Sequence, residues 1–143
     1  MILDLGPAYR GYYADNCRTF AVDGRPTDEQ LTAREVILQV FERVRSSVRP
    51  GVSCKALFAE TKSLLDEYAP DAFPHHLGHG VGLYPHEAPH LNPNWDDRFE
   101  VGDVFTVEPG LYNDALRAGI RIEENYRVTT DGVEQLTTTP TEL

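Results

Sequence analysis

"MILDLGPAYRGYYADNCRTFAV", residues 1–22, sets β-branched, apolar and aromatic residues on both sides of a break near Pro7–Gly11. Two strands joined by a turn give that pattern. The stretch also puts Asp4 in one arm and Asp15 in the other. In an antiparallel hairpin, a turn centred between Tyr9 and Arg10 sets Asp4 opposite Asp15. Opposed side chains have Cβ atoms roughly 5 Å apart, and like charges there are destabilising. Tyr-Arg is a poor two-residue turn, so a longer loop is expected. A symmetric loop keeps this register, whereas a bulge moves it.

A second strand pair repeats the arrangement. "GDVFTVEPGLY" (102–112) and "GIRIEENYRV" (119–128) read as strands joined by the polar "NDALRA" (113–118). Glu108 and Glu123 are equally spaced from the centre of that connection. Each hairpin therefore brings two acids close together. Four carboxylates in half-buried strands are costly unless paired or bound to metal. Arg18 and Arg121 offer partners for some of them. The bland alternative puts each acid on a solvent face, and the neighbours of Asp4 and Glu108 do not settle the matter.

Between the hairpins, "DGRPTDEQ" (23–30) turns from loop to helix, with Thr27 as N-cap and Gln30 completing a capping box. Leu31, Val36, Ile37, Val40, Phe41 and Val44 form its apolar stripe, and "RPG" at 49–51 ends it. Ser53 caps a second helix, whose inner face is Leu57, Phe58, Thr61, Leu64, Leu65 and Tyr68. Pro70 stops it. Residues 71–100 read as loop-rich. "TTDGVEQLT" (129–137) suggests a last turn and strand. Hairpin, two helices, His-rich segment and hairpin make an α+β pattern, an antiparallel sheet covered by helices.

Bulk properties narrow the function. The chain has 143 residues, the size of one domain, and a formal charge of -10 with no basic run. Nucleic acid and anionic membrane surfaces are poor partners for it. No apolar run approaches a membrane span, and no basic n-region precedes an apolar h-region. Cys17 and Cys54 make no disulfide framework and read as reduced thiols, which points to a cytoplasmic setting. Met1 is followed at once by strand-like Ile2 and Leu3, as in a chain that starts inside a domain.

All five histidines, His75, His76, His79, His86 and His90, lie in "PHHLGHGVGLYPHEAPH" (74–90). One histidine there would be a loop residue. Five beside paired acids favour a metal. Oxygen ligands with one or two imidazoles suit Mn²⁺, Co²⁺ or Zn²⁺. Four carboxylates exceed the need of one ion, and two ions roughly 3.5–4 Å apart would use them all.

Taken in order, "DLGPAYRGYYADNCRTF", "HHLGHGVGLYPHEAP", "VFTVEPGLY" and "GIRIEE" resemble the pita-bread metallopeptidases, which include methionine aminopeptidases, Xaa-Pro aminopeptidases and prolidases. The resemblance implies the C-terminal portion of that fold and two divalent ions. Asp4 would chelate one ion, Asp15 and Glu123 would bridge both, and His79 and Glu108 would complete the other. A bridging water or hydroxide would be the nucleophile, with Glu108 helping to move its proton. His86 matches the histidine that touches the substrate carbonyl, His75 one that lines the substrate pocket, and Arg121 an arginine that orients carboxylates. "GIRIEE" is the form of the Xaa-Pro branch, so the implied substrate is a peptide with proline second. Trp95, Tyr84 and Tyr112 could wall a pocket, although core or surface roles are expected. His76 and His90 match no ligand and are expected in loops.

Two departures stand out. Cys17 replaces the family's usual Thr, and a buried small residue is expected there. The resemblance also covers mainly the second half of a two-half domain, implying that the upstream half and any N-terminal domain lie outside this chain. The expectation is self-association into a homo-oligomer and weak activity of the chain alone. The competing readings are a non-catalytic pita-bread binding module, a creatinase-like hydrolase without these metals, and a mononuclear site on another fold.

Overall fold

Thr27 caps the first helix as its sequence predicts. Its hydroxyl accepts from Gln30 N at 3.3 Å, and the Gln30 side chain accepts from Thr27 N at 3.0 Å. The computed structural model describes residues 1–22 and 24–143. The helix, α1 (Asp28–Ser47), buries Ala33, Ile37, Val40, Phe41 and Val44. Leu31 is 41% exposed rather than part of the stripe. Six residues before Ile37, it sits roughly 120° round the helix from it. Ser53 caps α2 (Cys54–Tyr68), accepting from Ala56 N, and Leu57, Phe58, Thr61 and Leu65 face inward.

The strands are β1 (Ile2–Leu5), β2 (Ala8–Tyr9), β3 (Tyr12–Tyr13), β4 (Asn16–Thr19), β5 (Gly78–Gly80), β6 (Glu87–Leu91), β7 (Val104–Val107), β8 (Gly110–Asn113), β9 (Ala118–Arg121), β10 (Glu124–Val128) and β11 (Val133–Gln135). A five-stranded antiparallel sheet has the order β11-β10-β7-β5-β6, and β1-β4, β2-β3 and β8-β9 form ribbons. The helices pack on the sheet over one core that includes Ile37, Phe41, Leu57, Leu65, Phe105, Ile120 and Tyr126. This is the expected α+β arrangement. No helix among the described residues is long and apolar enough to cross a membrane.

Residues 71–100 are more ordered than the sequence suggests, because they supply β5, an interior strand between β7 and β6. Gly-His-Gly is a poor strand former by propensity. Its glycines are needed for close approach: a Cβ at Gly78 would lie 2.0 Å from Thr106 O, and one at Gly80 1.9 Å from Ala88 O. Packing against β6 and β7 overrides propensity here and fixes His79 between two neighbours that cannot move apart.

Candidate metal centre

The first hairpin turns at Arg10–Gly11, with φ of 52° and 87°. Two successive positive φ values fit a type I′ turn. Gly11 accepts this freely. The Arg10 guanidinium lies over the Tyr9 ring, 5.2 Å from its centroid, and Tyr13 N donates to Gly82 O at 2.8 Å. The register therefore differs from the expected one. Asp4 pairs with Cys17, and Leu5 with Asn16, so Asp15 stands diagonal to Asp4 rather than opposite it. A slide of two residues keeps each side chain on its original face. Asp4 and Asp15 still converge, and together with Glu123 they offer oxygens all within 4.8 Å of one another.

The second pair follows the expected register. Val107 pairs with Glu124 in the main sheet, and Gly110 with Arg121 in the β8-β9 ribbon. Each expected long strand is broken at its acid, where Pro109 cannot donate to a ladder. The two ladders keep one register across the break, so Glu108 faces Glu123. Glu108 N donates to Leu77 O at 2.7 Å, and Glu123 N to Cys17 O at 3.0 Å. These bonds tie the junction to β5 on one side and to the first hairpin on the other.

His79 completes the cluster. Its Nδ1 sits 3.0 Å from Gly80 O, so that nitrogen carries the proton and Nε2 keeps its lone pair. Nε2 lies 3.5 Å from Glu108 Oε1 and 3.9 Å from Asp15 Oδ2. The His86 ring stacks beside that of His79 with centroids 3.8 Å apart. Asp15, His79 and His86 make a second group of converging ligand atoms. His86 is exposed, on the open side of the cluster.

A polar chain runs round the rim. Arg121 Nη2 donates to Asp4, its Nε approaches Cys17 Sγ at 3.4 Å, and its Nη1 reaches Tyr112 Oη at 3.5 Å. Tyr112 Oη lies 3.0 Å from His75 Nε2, and His75 Nδ1 2.8 Å from His76 O. Arg18 does not join. It is buried against Glu124 at 2.9 Å and holds the Pro140 and Thr139 carbonyls.

The electrostatics are those of crowded acids. Burial, then Glu108, Asp15 and Asp4, push Glu123 up to about 9. Burial, then Asp4 and Glu108, push Asp15 up to about 6. Burial acts the same way on Glu108, but the His76 hydrogen bond and the surrounding imidazoles outweigh it and hold Glu108 below its usual value. Burial lowers His75 and His79, so both are held neutral. Glu123 Oε1 is buried with no hydrogen-bond partner among the described residues. Three carboxylates, one of them with an orphaned buried oxygen, and a free imidazole lone pair fit a divalent cation.

Several expectations change. His76 lies in a loop, as expected, but is no bystander, since its Nε2 is 2.8 Å from Glu108 Oε1. His90 lies in β6, where its backbone N and its Nδ1 both sit 2.8 Å from Asp97 Oδ2. Tyr112 belongs to the rim of the site rather than to the core or the surface. The sequence did carry a signal for it: Glu108, Gly110 and Tyr112 alternate onto one face. Its ring also lies where a Cβ at Gly119 would come within 2.3 Å. Trp95 and Tyr84 are on the surface, 54% and 68% exposed. Cys17 is fully buried, as expected.

The model of metallopeptidase family M24 matches residues 1–130. The Xaa-Pro dipeptidase of Pyrococcus furiosus is 37% identical over 144 aligned residues, covering 100% of this chain and 41% of that protein. The crystal structure of the prolidase from Pyrococcus horikoshii OT3 superposes with a TM-score of 0.90 at 36% identity, covering 99% of this chain and 41% of that one. The X-Pro aminopeptidase from Thermotoga maritima also gives a TM-score of 0.90 at 36% identity, covering 99% of this chain and 40% of that one. The chain thus has the fold of the corresponding portion of these pita-bread enzymes. It spans about two-fifths of the length of the relatives it matches.

Proposed function

The chain belongs to metallopeptidase family M24, and from that premise we propose that it is the metal-holding portion of a longer peptidase that cleaves Xaa-Pro bonds. The observation that carries the reading is the convergence of Asp4, Asp15 and Glu123, with one buried Glu123 oxygen that has no partner among the described residues. Two divalent ions, Mn²⁺, Co²⁺ or Zn²⁺, would be held by Asp4, Asp15, His79, Glu108 and Glu123. When bound, they would supply Lewis acidity and a water of lowered pKa.

The chain's own residues then have distinct tasks. Glu108, held below its usual carboxylate range, is ionised at neutral pH and can accept and pass on the proton of an attacking water. Arg121 fixes Asp4 with one arm of its fork and braces Tyr112 with another. His86, exposed beside His79, is placed to donate to a substrate carbonyl from the open side. His75, neutral and held by Tyr112, lines the rim where the peptide lies.

The free, buried Cys17 and Cys54 suit a reducing, cytoplasmic setting. Met1, Leu5, Tyr9, Tyr12 and Val22 are each more than half exposed along the first hairpin. We therefore expect the chain alone to self-associate through that face. Asp4, with a side chain 44% exposed, leaves the site open to water, so turnover by the chain alone is expected to be weak.

The test is an activity comparison of the chain and of the longer protein proposed to contain it. Xaa-Pro dipeptides, longer Xaa-Pro peptides and Met-initiated peptides are each offered with added Mn²⁺, Co²⁺ or Zn²⁺. Metal-dependent release of the residue before proline supports the reading. Stoichiometric metal without hydrolysis of any of them favours a binding module.

A further inference from the structure

We propose that His76 is an additional metal ligand, acting with His79 and Glu108, which makes one pole of the centre imidazole-rich and the other all-carboxylate. This rests on the metal-centre reading above and goes beyond its five ligands. His76, His79 and Glu108 each offer a ligand atom, and these atoms lie within 4.8 Å of one another, separately from the Asp4, Asp15 and Glu123 group.

The geometry is specific. His76 Nε2 is 2.8 Å and His79 Nε2 3.5 Å from Glu108 Oε1. Two atoms bound tetrahedrally to one ion at about 2.1 Å would be roughly 3.4 Å apart. The observed separations bracket that value, so an ion could enter with small side-chain movements. The His79 proton is already on Nδ1, held by Gly80 O. His76 Nδ1 has no partner among the described residues, so the His76 proton can move there and leave Nε2 bare. The rings of His76 and His79 stand nearly perpendicular, with centroids 5.7 Å apart, so neither blocks the lone pair of the other.

The chemistry separates the poles. Two imidazoles and a carboxylate are a ligand set that zinc favours. Three carboxylates suit a harder ion such as Mn²⁺. The two sites should therefore differ in affinity and in metal preference.

The experiment is titration of the metal-free chain with Zn²⁺ against a competing chelator, and separately with Co²⁺ followed by visible absorption, for the parent, H76S and H76Q. Glutamine keeps a hydrogen-bond donor for Glu108 but supplies no imidazole. Both variants should bind Zn²⁺ at the tighter site about tenfold or more weakly, and both should alter the Co²⁺ bands. Circular dichroism of the metal-free proteins checks folding. If H76Q retains the parental affinity and spectrum, His76 only positions Glu108 and the proposal fails. If H76S retains them, His76 plays no part. If the parent binds neither ion, this proposal and the metal-centre reading fall together. Loss confined to the His76 variants sustains both.

Discussion

Glu108 and Glu123 face each other at the point where two ladders of one register meet, between the Val107–Glu124 pair and the Gly110–Arg121 pair. Neither ladder continues through them. The gap leaves two buried acids side by side, with Asp15 and Asp4 raising the local negative charge further. Without a cation such a cluster opposes folding.

The metal-free chain should lose stability as pH rises from about 7 to 9. Glu123 is raised from 4.5 to about 9, so its contribution is present below the unfolded value and fades as pH climbs through the folded one. His75 and His79, held neutral, change little in this window. One proton is worth at most about 1.4 kcal/mol per pH unit, or a few degrees of Tm in a domain of this size. E123Q should flatten the dependence and raise Tm at about pH 8. A Tm that is constant or rises over this range in the parent would contradict the assignment.

Metal binding should release protons. Near pH 7, Glu123 is protonated in the metal-free chain and must give up its proton to a cation. Calorimetry in buffers of different ionisation enthalpy should report about one proton per chain. The count should grow toward pH 6 as Asp15 contributes. Heats independent of buffer would remove the basis for an ionised, metal-holding Glu123.

Cys17 should resist peroxide in the folded chain. Burial pushes its thiol up to about 11, and the thiolate is the reactive form. Mass spectrometry should find Cys17 unoxidised in native protein and oxidised in denaturant. In the longer protein, C17T should lose activity to peroxide no more slowly than the parent. A resistant C17T would show that the thiol reaches the reacting centre.

Much of this was legible in the sequence. The two capped helices follow from Thr27, Gln30 and Ser53, since capping is local. The Glu108–Glu123 register follows from the symmetric "NDALRA" connection. The first hairpin was misread by two residues because Arg10 occupies a left-handed turn position usually taken by Asn, Asp or Gly. β5 was missed because Gly78 and Gly80 have no strand propensity and are fixed only by what packs against them. His76 was undervalued because its partner Glu108 lies 32 residues away, and Tyr112 because its partner His75 lies 37 residues away.

G80A tests that packing. The added methyl would lie against the Ala88 carbonyl carbon at 2.4 Å and its oxygen at 1.9 Å. The β6 backbone at Ala88 and Glu87 cannot give way cheaply, so the variant should lose about 3 kcal/mol in urea unfolding. It should also bind metal poorly, because His79 moves with the strand. A change under about 0.5 kcal/mol would mean that β5 is not held as described.

Metal content tests the dinuclear centre most directly. The chain should be saturated with Mn²⁺, Co²⁺ or Zn²⁺ near neutral pH, freed of excess, and analysed for metal per chain by plasma emission. Two ions per chain, falling to one or none in D15A and E123A, is the predicted result. No stoichiometric metal in the parent, or equal content in both variants, would contradict it.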